Sequence, residues 1–552
     1  MKNTIYTSIA KSHTTIHSRT PSYKVFEFWM VLATVLLSVT CLYLSIVWGN
    51  KNLSDYDAIA RLNIARKVTD SLTPGVAQLG GIWLPFPQVL FMPFTWNDFL
   101  WHSGLAGAFS SMAAFILSAY YLFKTVHIIT GRKLGGFLAW LIYVTNVNIL
   151  LLQTMAMSES FFLFTLIMII FHITKWAKTR DILELLYAGV FVILATLTRY
   201  EGYALFGAAT ASVAVVVLMN YRKNFKRLEG TLVLFMTLAG FGIFLWSLYS
   251  FLIFKDPIYW LNLYSGNKSI FGLDSHLVTT TATQVGGNIE KKITLVDAIR
   301  VYGSAMLYMN GIILGLVALG TFIGLLIKSC VDLVKKRANI LVLPTLIVAV
   351  SVFVFLIVGY TKHLIPNIET PYLDLPTLFN KQRNFGSSSN IRYGLIITPL
   401  IALLIGSAFA RSKVLALSVV AIVAFQLYAI VATPFFLTFS LPTKVTYTEF
   451  LSTKWFRSHY DGGLILTSAN RHENFMFQTR LPYKNFIYEG SQEYWKKSIK
   501  DPSAFATWVV LDDSIRGDAV NELMTDKSIL VDKFTIVYRE GGLKIFKRKP
   551  AN

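Results

Sequence analysis

The sequence predicts a polytopic α-helical membrane protein of about 11 transmembrane helices, N-terminus inside, followed by a small C-terminal extracytoplasmic α/β domain. Three observations predict it. Of 552 residues, 54% are hydrophobic and only 15% are charged. Several uncharged runs reach the roughly 18 residues that mark a membrane span. Lysine and arginine gather in every second connection between these runs, the bias that marks cytoplasmic loops.

Residues 1–24 are polar and basic, with Lys2, Lys11, Arg19 and Lys24, and read as a cytoplasmic tail. The transmembrane part is expected over 25–438. Its first apolar run, 26–48, is too long for a signal peptide and has no small-x-small cleavage site, so it is expected to remain as a span. The first outer loop, 49–103, is too long for a turn. From Asp57 to Asp70 it carries Ile59, Leu62, Ile64, Ala65 and Val68 at helical spacing, which predicts a helix along the membrane surface. Trp83 to Phe94 is apolar but interrupted by Pro85, Pro87 and Pro93. It reads as an interfacial or re-entrant segment, tolerable only where protein covers its backbone.

Later spans are expected near 104–123, 134–152, 159–175, 184–198, 203–220, 230–254, 303–327, 339–360, 393–410 and 414–436. Alternate connections hold Lys124, Arg132 and Lys133; Lys175, Lys178 and Arg180; Arg222, Lys223, Lys226 and Arg227; Lys328, Lys335, Lys336 and Arg337; and Arg411 and Lys413. The short connections 153–158 and 199–202 contain one basic residue, Arg199. This asymmetry puts the C-terminus outside.

Two further outer loops, 255–302 and 361–392, are rich in Gly, Ser, Thr, Asn and Pro. Loops of that length are usually functional or mobile. The tail, 439–552, alternates strand and helix patterns, as a layered α/β domain does. Strands are expected at Gly463–Ser468, Asn485–Tyr488, Thr507–Leu511 and Lys533–Arg539, and helices at Ser491–Ser498 and Ile515–Met524. Asp512-Asp513 at a strand end reads as a turn or helix cap in preference to a metal site.

The net charge of +21 would suggest nucleic acid in a soluble protein. Here the basic residues follow span topology, so no nucleic-acid partner is expected. The two cysteines, Cys41 and Cys330, lie in or near spans and predict neither a disulfide framework nor a thiolate metal site. The span interiors hold almost no charge, and no paired broken helices mark two repeated halves. Both points argue against a secondary transporter, which needs polar groups at mid-depth.

Charged residues instead collect at the outer face: Asp55, Asp57, Glu159, Arg199, Glu201, Lys362, His363, Arg383 and Arg392. Each has an ordinary role open to it. Asp55 or Ser54 is placed to cap the loop helix. Glu159 suits a helix N-terminus. Arg199 and Glu201 can pair with each other. Arg392 can anchor its span at the interface or clamp a phosphate with its planar fork.

The order of these residues resembles the GT-C superfamily of polyprenyl-phosphate-sugar-dependent glycosyltransferases, which includes protein O-mannosyltransferases and aminoarabinose transferases. The matching features, over about 50–410, are Tyr56-Asp57 in the first outer loop, Trp83-Leu84-Pro85 at the interface and Glu159 opening the fourth span. Arg199 to Gly202, Asp256-Pro257 and Arg392-Tyr393 complete the set. Asp57 is followed by Ala58 where many relatives have Asp-Glu, so Asp55 stays open as the alternative base.

The resemblance implies transfer of a hexosyl or pentosyl group from a polyprenyl-phosphate donor to an acceptor hydroxyl, with inversion. Asp57 or Asp55 would be the base, and Glu159 would orient the base's partner or the acceptor. Arg392, with Arg199, Lys362 or Arg383, would bind the donor phosphate. Glu201, Tyr393, Trp83 and His363 would support the site. The family uses a divalent cation in some members, and no His-rich cluster here argues for one. The implied setting is a multi-pass plasma-membrane protein of the cell envelope, active on the extracytoplasmic side, with a protein, glycan or lipid acceptor. A lipid-linked-sugar flippase and a lipid-linked-oligosaccharide ligase are the rival readings.

Overall fold

The computed structural model describes residues 21–221, 224–264, 293–335, 340–362, 390–432, 450–514, 517–524 and 526–550. The tail up to residue 20, most of the loops 255–302 and 361–392, and with them His363 and Arg383, lie outside the described residues.

The described chain is a multi-pass membrane bundle with a small sheet at one end. Eight of its helices are long and apolar enough to cross a membrane: Lys24–Val47, Leu105–Thr130, Ser158–Thr179, Glu201–Asn220, Phe225–Phe254, Ile312–Leu333, Leu343–Thr361 and Ile391–Phe409. Three apolar helices are shorter, Lys133–Val144, Ile182–Thr196 and Lys413–Ala429. Ser158–Thr179 is the bundle's central helix, buried along almost its whole length between Leu105–Thr130 and Ile182–Thr196.

Three expected spans are broken. The segment 134–152 is two helices, Lys133–Val144 and Val147–Leu152. Asn146 ends the first and caps the second by accepting from the amides of Asn148 and Ile149. The segment 303–327 is divided at Gly311, which joins Leu295–Asn310 to Ile312–Val334 with φ +84°. A side chain there would be strained and would overlap Gln426. Arg392 does not lead a regular α-helix. It lies in a 3-10 turn, Ile391–Ile397, that passes into the helix Thr398–Phe409. Asn310 ties these breaks together, donating to the Gly394 carbonyl at 3.0 Å and accepting from Thr398.

The first outer loop also departs from expectation. Its helix, Tyr56–Lys67, does not rest one apolar face on a membrane surface. Ala58, Ile59, Ala60, Arg61, Leu62, Asn63, Ala65 and Lys67 are all buried, because the bundle covers one side and the C-terminal part covers another. The proline-rich stretch is a helix, Phe86–Thr95. Pro85 and Pro87 stand at its start, where no amide partner is needed, and Pro93 lies inside it.

The C-terminal part forms one five-stranded sheet: β1 (Leu464–Leu466), β2 (Phe486–Ile487), β3 (Ala506–Asp512), β4 (Phe534–Glu540) and β5 (Leu543–Arg548). Their order is β2-β1-β3-β5-β4, parallel across β2, β1 and β3, antiparallel beyond. The fifth strand and the helices Leu451–His459, Ala469–Gln478 and Ser528–Lys533 were not expected from the sequence. Asp512 and Asp513 form a turn: Asp512 accepts from the Ser514 amide at 2.9 Å, and Asp513 pairs with Lys544. Cys41 and Cys330 are free thiols.

The sheet part docks on the first outer loop. Lys67 forms a buried ion pair with Glu473, and its ammonium also lies over the rings of Tyr483 and Tyr488. Asn63 donates to Glu473 at 2.7 Å, and the Tyr488 hydroxyl donates to Gln78 at 2.7 Å. A cation and a carboxylate taken out of water together need this many partners to be tolerated.

Candidate active site

Asp55 caps the loop helix, as one of its two readings required. Its side chain accepts from the Asp57 amide at 2.9 Å. The same carboxylate accepts from Arg392 Nη1 at 3.0 Å. Asp57, in the helix's first turn, also takes a bond from Arg392, through Nη2. The third nitrogen, Nε, donates to Glu159 at 2.9 Å. One guanidinium therefore joins the first outer loop, the opening of the central helix and the late 3-10 turn.

The turn brings Arg392 this deep because Gly394, two residues on, lies against the backbone of Ala305, where any side chain would overlap. Glu159 is in turn shared. Arg199 Nη1 donates to it at 3.0 Å and to Ser158 at 3.1 Å, while Nη2 donates to Glu201 at 2.7 Å. Arg199 lies over the ring of Tyr393, 4.7 Å from its centroid. Asp55, Asp57, Glu159, Arg199, Glu201, Arg392 and Tyr393 are thus one connected cluster. Glu159, Arg199 and Glu201 are buried, whereas the side chains of Asp55 and Asp57 are about 30% exposed. The two aspartates are the most exposed acids of the cluster, and Arg392 is itself only partly buried.

Burial pushes the Asp55 carboxyl above its ordinary range, Arg392 pulls it down, and neighbouring Asp57 pushes it up again. The upward effects win.

Lys362 is exposed at the end of the helix Leu343–Thr361 and takes no bond within the cluster among the described contacts. Trp83 enters by a residue that the sequence reading missed. Arg61, one turn after Asp57, is buried with its guanidinium 4.7 Å from the centroid of the Trp83 ring. The signal was present as a cation four residues after an acid on one helix face. Among the described residues no group of three or more His, Cys, Asp or Glu is placed to share a metal ion. The cluster's carboxylates are arranged around arginines.

No protein-family model and no curated protein matches the sequence. Solved structures do match. ArnT from Cupriavidus metallidurans bound to undecaprenyl phosphate superposes with a TM-score of 0.52 at 10% identity, covering 94% of this chain and 98% of that one. The same protein in its apo state gives 0.45 at 12% identity, covering 94% and 97%. The Archaeoglobus fulgidus oligosaccharyltransferase, in complex with zinc and sulfate, gives 0.44 at 11%, covering 88% and 68%. The first likeness shows the fold: over 94% of its length the chain is folded like ArnT.

Proposed function

We propose that this protein is a GT-C-type membrane glycosyltransferase that moves a sugar from a polyprenyl-phosphate donor to an acceptor hydroxyl on the extracytoplasmic side. One observation carries the reading: Arg392 is held by Asp55, Asp57 and Glu159 at the partly exposed edge of an otherwise buried charge cluster. An arginine with three carboxylates around it can exchange one of them for a phosphate with little change of geometry. The ArnT fold, recorded for that protein with undecaprenyl phosphate, supports the donor class.

In this reading the eight long and three short apolar helices are eleven spans, with residues 1–24 inside. The transmembrane domain runs over 25–438 and the domain 439–552 lies outside, as the alternation of basic loops requires.

The chemistry follows from the cluster. The donor phosphate takes its place on Arg392 and displaces Asp57, which is thereby freed as a base. The acceptor oxygen attacks the anomeric carbon, and its proton passes to Asp57. The bond from the anomeric carbon to the phosphate oxygen breaks, and the electron pair leaves with the lipid phosphate. Arg392 neutralises the charge that develops there. A single displacement inverts the anomeric centre. Glu159, fixed by Arg199, keeps Arg392 in position when Asp57 lets go. Asp55 caps the helix that carries Asp57.

The test is transfer from radiolabelled polyprenyl-phosphate sugars by the purified protein in lipid nanodiscs, using total envelope extract as the acceptor pool. Labelled product from at least one donor supports the proposal. No product from any donor, with the protein folded, contradicts it.

A further inference from the structure

A cavity of about 140 Å³ lies between the first outer loop and the C-terminal part. Tyr56, Ala60 and Lys67 line it from the loop helix, Trp83 closes it from the following segment, and Asn470 and Glu473 reach it from the helix Ala469–Gln478. None of the chemistry above uses it. It is distinct from the arginine cluster yet next to it. Tyr56 and Asp57 are consecutive on one helix, so their side chains diverge by about 100°. Asp57 faces Arg392 while Tyr56 faces the cavity.

The walls are mixed in a particular way. Two aromatic rings offer flat apolar faces. One face of Trp83 is covered by Arg61, and the residue also lines the cavity. The Tyr56 hydroxyl donates to the Asn470 carbonyl at 3.4 Å, a long bond that ties the two walls together loosely. Lys67 and Glu473 are held rigid by each other and by Asn63, so their positions are set before anything binds. Aromatic faces beside fixed charged and amide groups suit a ring that has C–H faces and hydroxyl edges. An acyl chain would make no use of these polar edge groups.

We infer that this cavity, built jointly by the first outer loop and the C-terminal part, seats a sugar ring of the acceptor beside Asp57. The inference rests on the proposed transferase reading. It makes the acceptor a glycan or glycolipid and gives the C-terminal part a role in choosing it. The donor's own sugar is the competing source of the same chemistry.

The probe is a set of methyl glycosides of glucose, galactose, mannose and N-acetylglucosamine, followed by saturation-transfer NMR on the full-length protein in nanodiscs. At least one glycoside is expected to bind. Ala60→Phe, which fills the cavity, and Asn470→Ala, which removes an edge group without adding bulk, are each expected to weaken it at least tenfold with an unchanged melting temperature. No binding to the wild type, or equal binding to folded variants, would overturn the inference. So would displacement of the glycoside by polyprenyl-phosphate-glucose or polyprenyl-phosphate-mannose, which would mark the seat as the donor's. Binding of polyprenyl phosphate is measured in parallel. If it persists while the glycosides fail, the cavity inference alone has failed; if it is absent too, the transferase reading has failed.

Discussion

Arg392 donates to Asp55 across 3.0 Å, joining residues 337 positions apart in the chain. The bond links the cap of the first-loop helix to the late 3-10 turn, and Glu159 holds the same guanidinium from the central helix. The fork geometry of arginine is what allows one side chain to serve all three partners.

Arg392→Lys keeps the charge and removes the fork. Lysine is a point donor and cannot satisfy Asp55, Asp57 and Glu159 at once. Transfer is expected to fall by about 10²–10³, the range for loss of a donor at developing charge. Steady-state rates at saturating and limiting donor check this, and an unchanged rate would remove Arg392 from the phosphate site.

Asp55 and Asp57 are expected to separate. Asparagine caps helices as well as aspartate does, so Asp55→Asn should leave the fold intact. Asp55→Ala should lose about 1 kcal/mol of stability. Both should reduce transfer much less than Asp57→Asn. Thermal unfolding and transfer rates measured on all three variants make the comparison. Loss confined to Asp55→Asn would move the base two residues.

Removing one partner of the buried Lys67–Glu473 pair leaves the other charge unpaired. Glu473→Gln or Lys67→Met should each cost about 3–5 kcal/mol at the contact between the loop and the C-terminal part. The double variant Lys67→Met with Glu473→Leu should recover much of that. Limited proteolysis of the C-terminal part reads the loss, and additive effects in the double variant would contradict the coupling.

His102 lies between Trp101 and Phe477, with ring centroids 4.1 and 5.2 Å away. Burial, helped by Arg480, lowers its pKa from 6.5 to about 4. The folded state therefore favours the neutral ring. Its contribution to stability is fully present above pH 6.5 and is lost as pH falls through about 4. The melting temperature should drop over that window, and His102→Gln should drop less. Parallel curves for the two proteins would show that the docked imidazole does not set the acid limit.

The extent to which the sequence was legible follows from how local each signal is. Asp57, Glu159 and Arg392 stood out because span topology put all three on one face with few other charges. Direct contact among them was beyond the pattern, since it depends on a 3-10 turn that Gly394 permits and Asn310 holds. The Lys67–Glu473 pair was missed because burial by a docked domain has no periodicity, and Arg61 because the Trp83 ring that covers it lies 22 residues on. In the loop helix, Lys67 is enclosed by Glu473, more than 400 positions later. The fifth strand was missed because Leu543–Arg548 breaks the alternation at Ile545-Phe546 and Lys547-Arg548 at the end of a basic tail. Its pairing partners, β3 and β4, settle its identity.

Transfer from a labelled polyprenyl-phosphate sugar by wild type, Asp55→Asn and Asp57→Asn, in one preparation at one pH, bears most directly on the proposed chemistry. The expected result is activity in the wild type, modest loss in Asp55→Asn, and a fall of about 10²–10⁴ in Asp57→Asn with donor binding retained. Full activity in both variants would contradict a carboxylate base in the first outer loop.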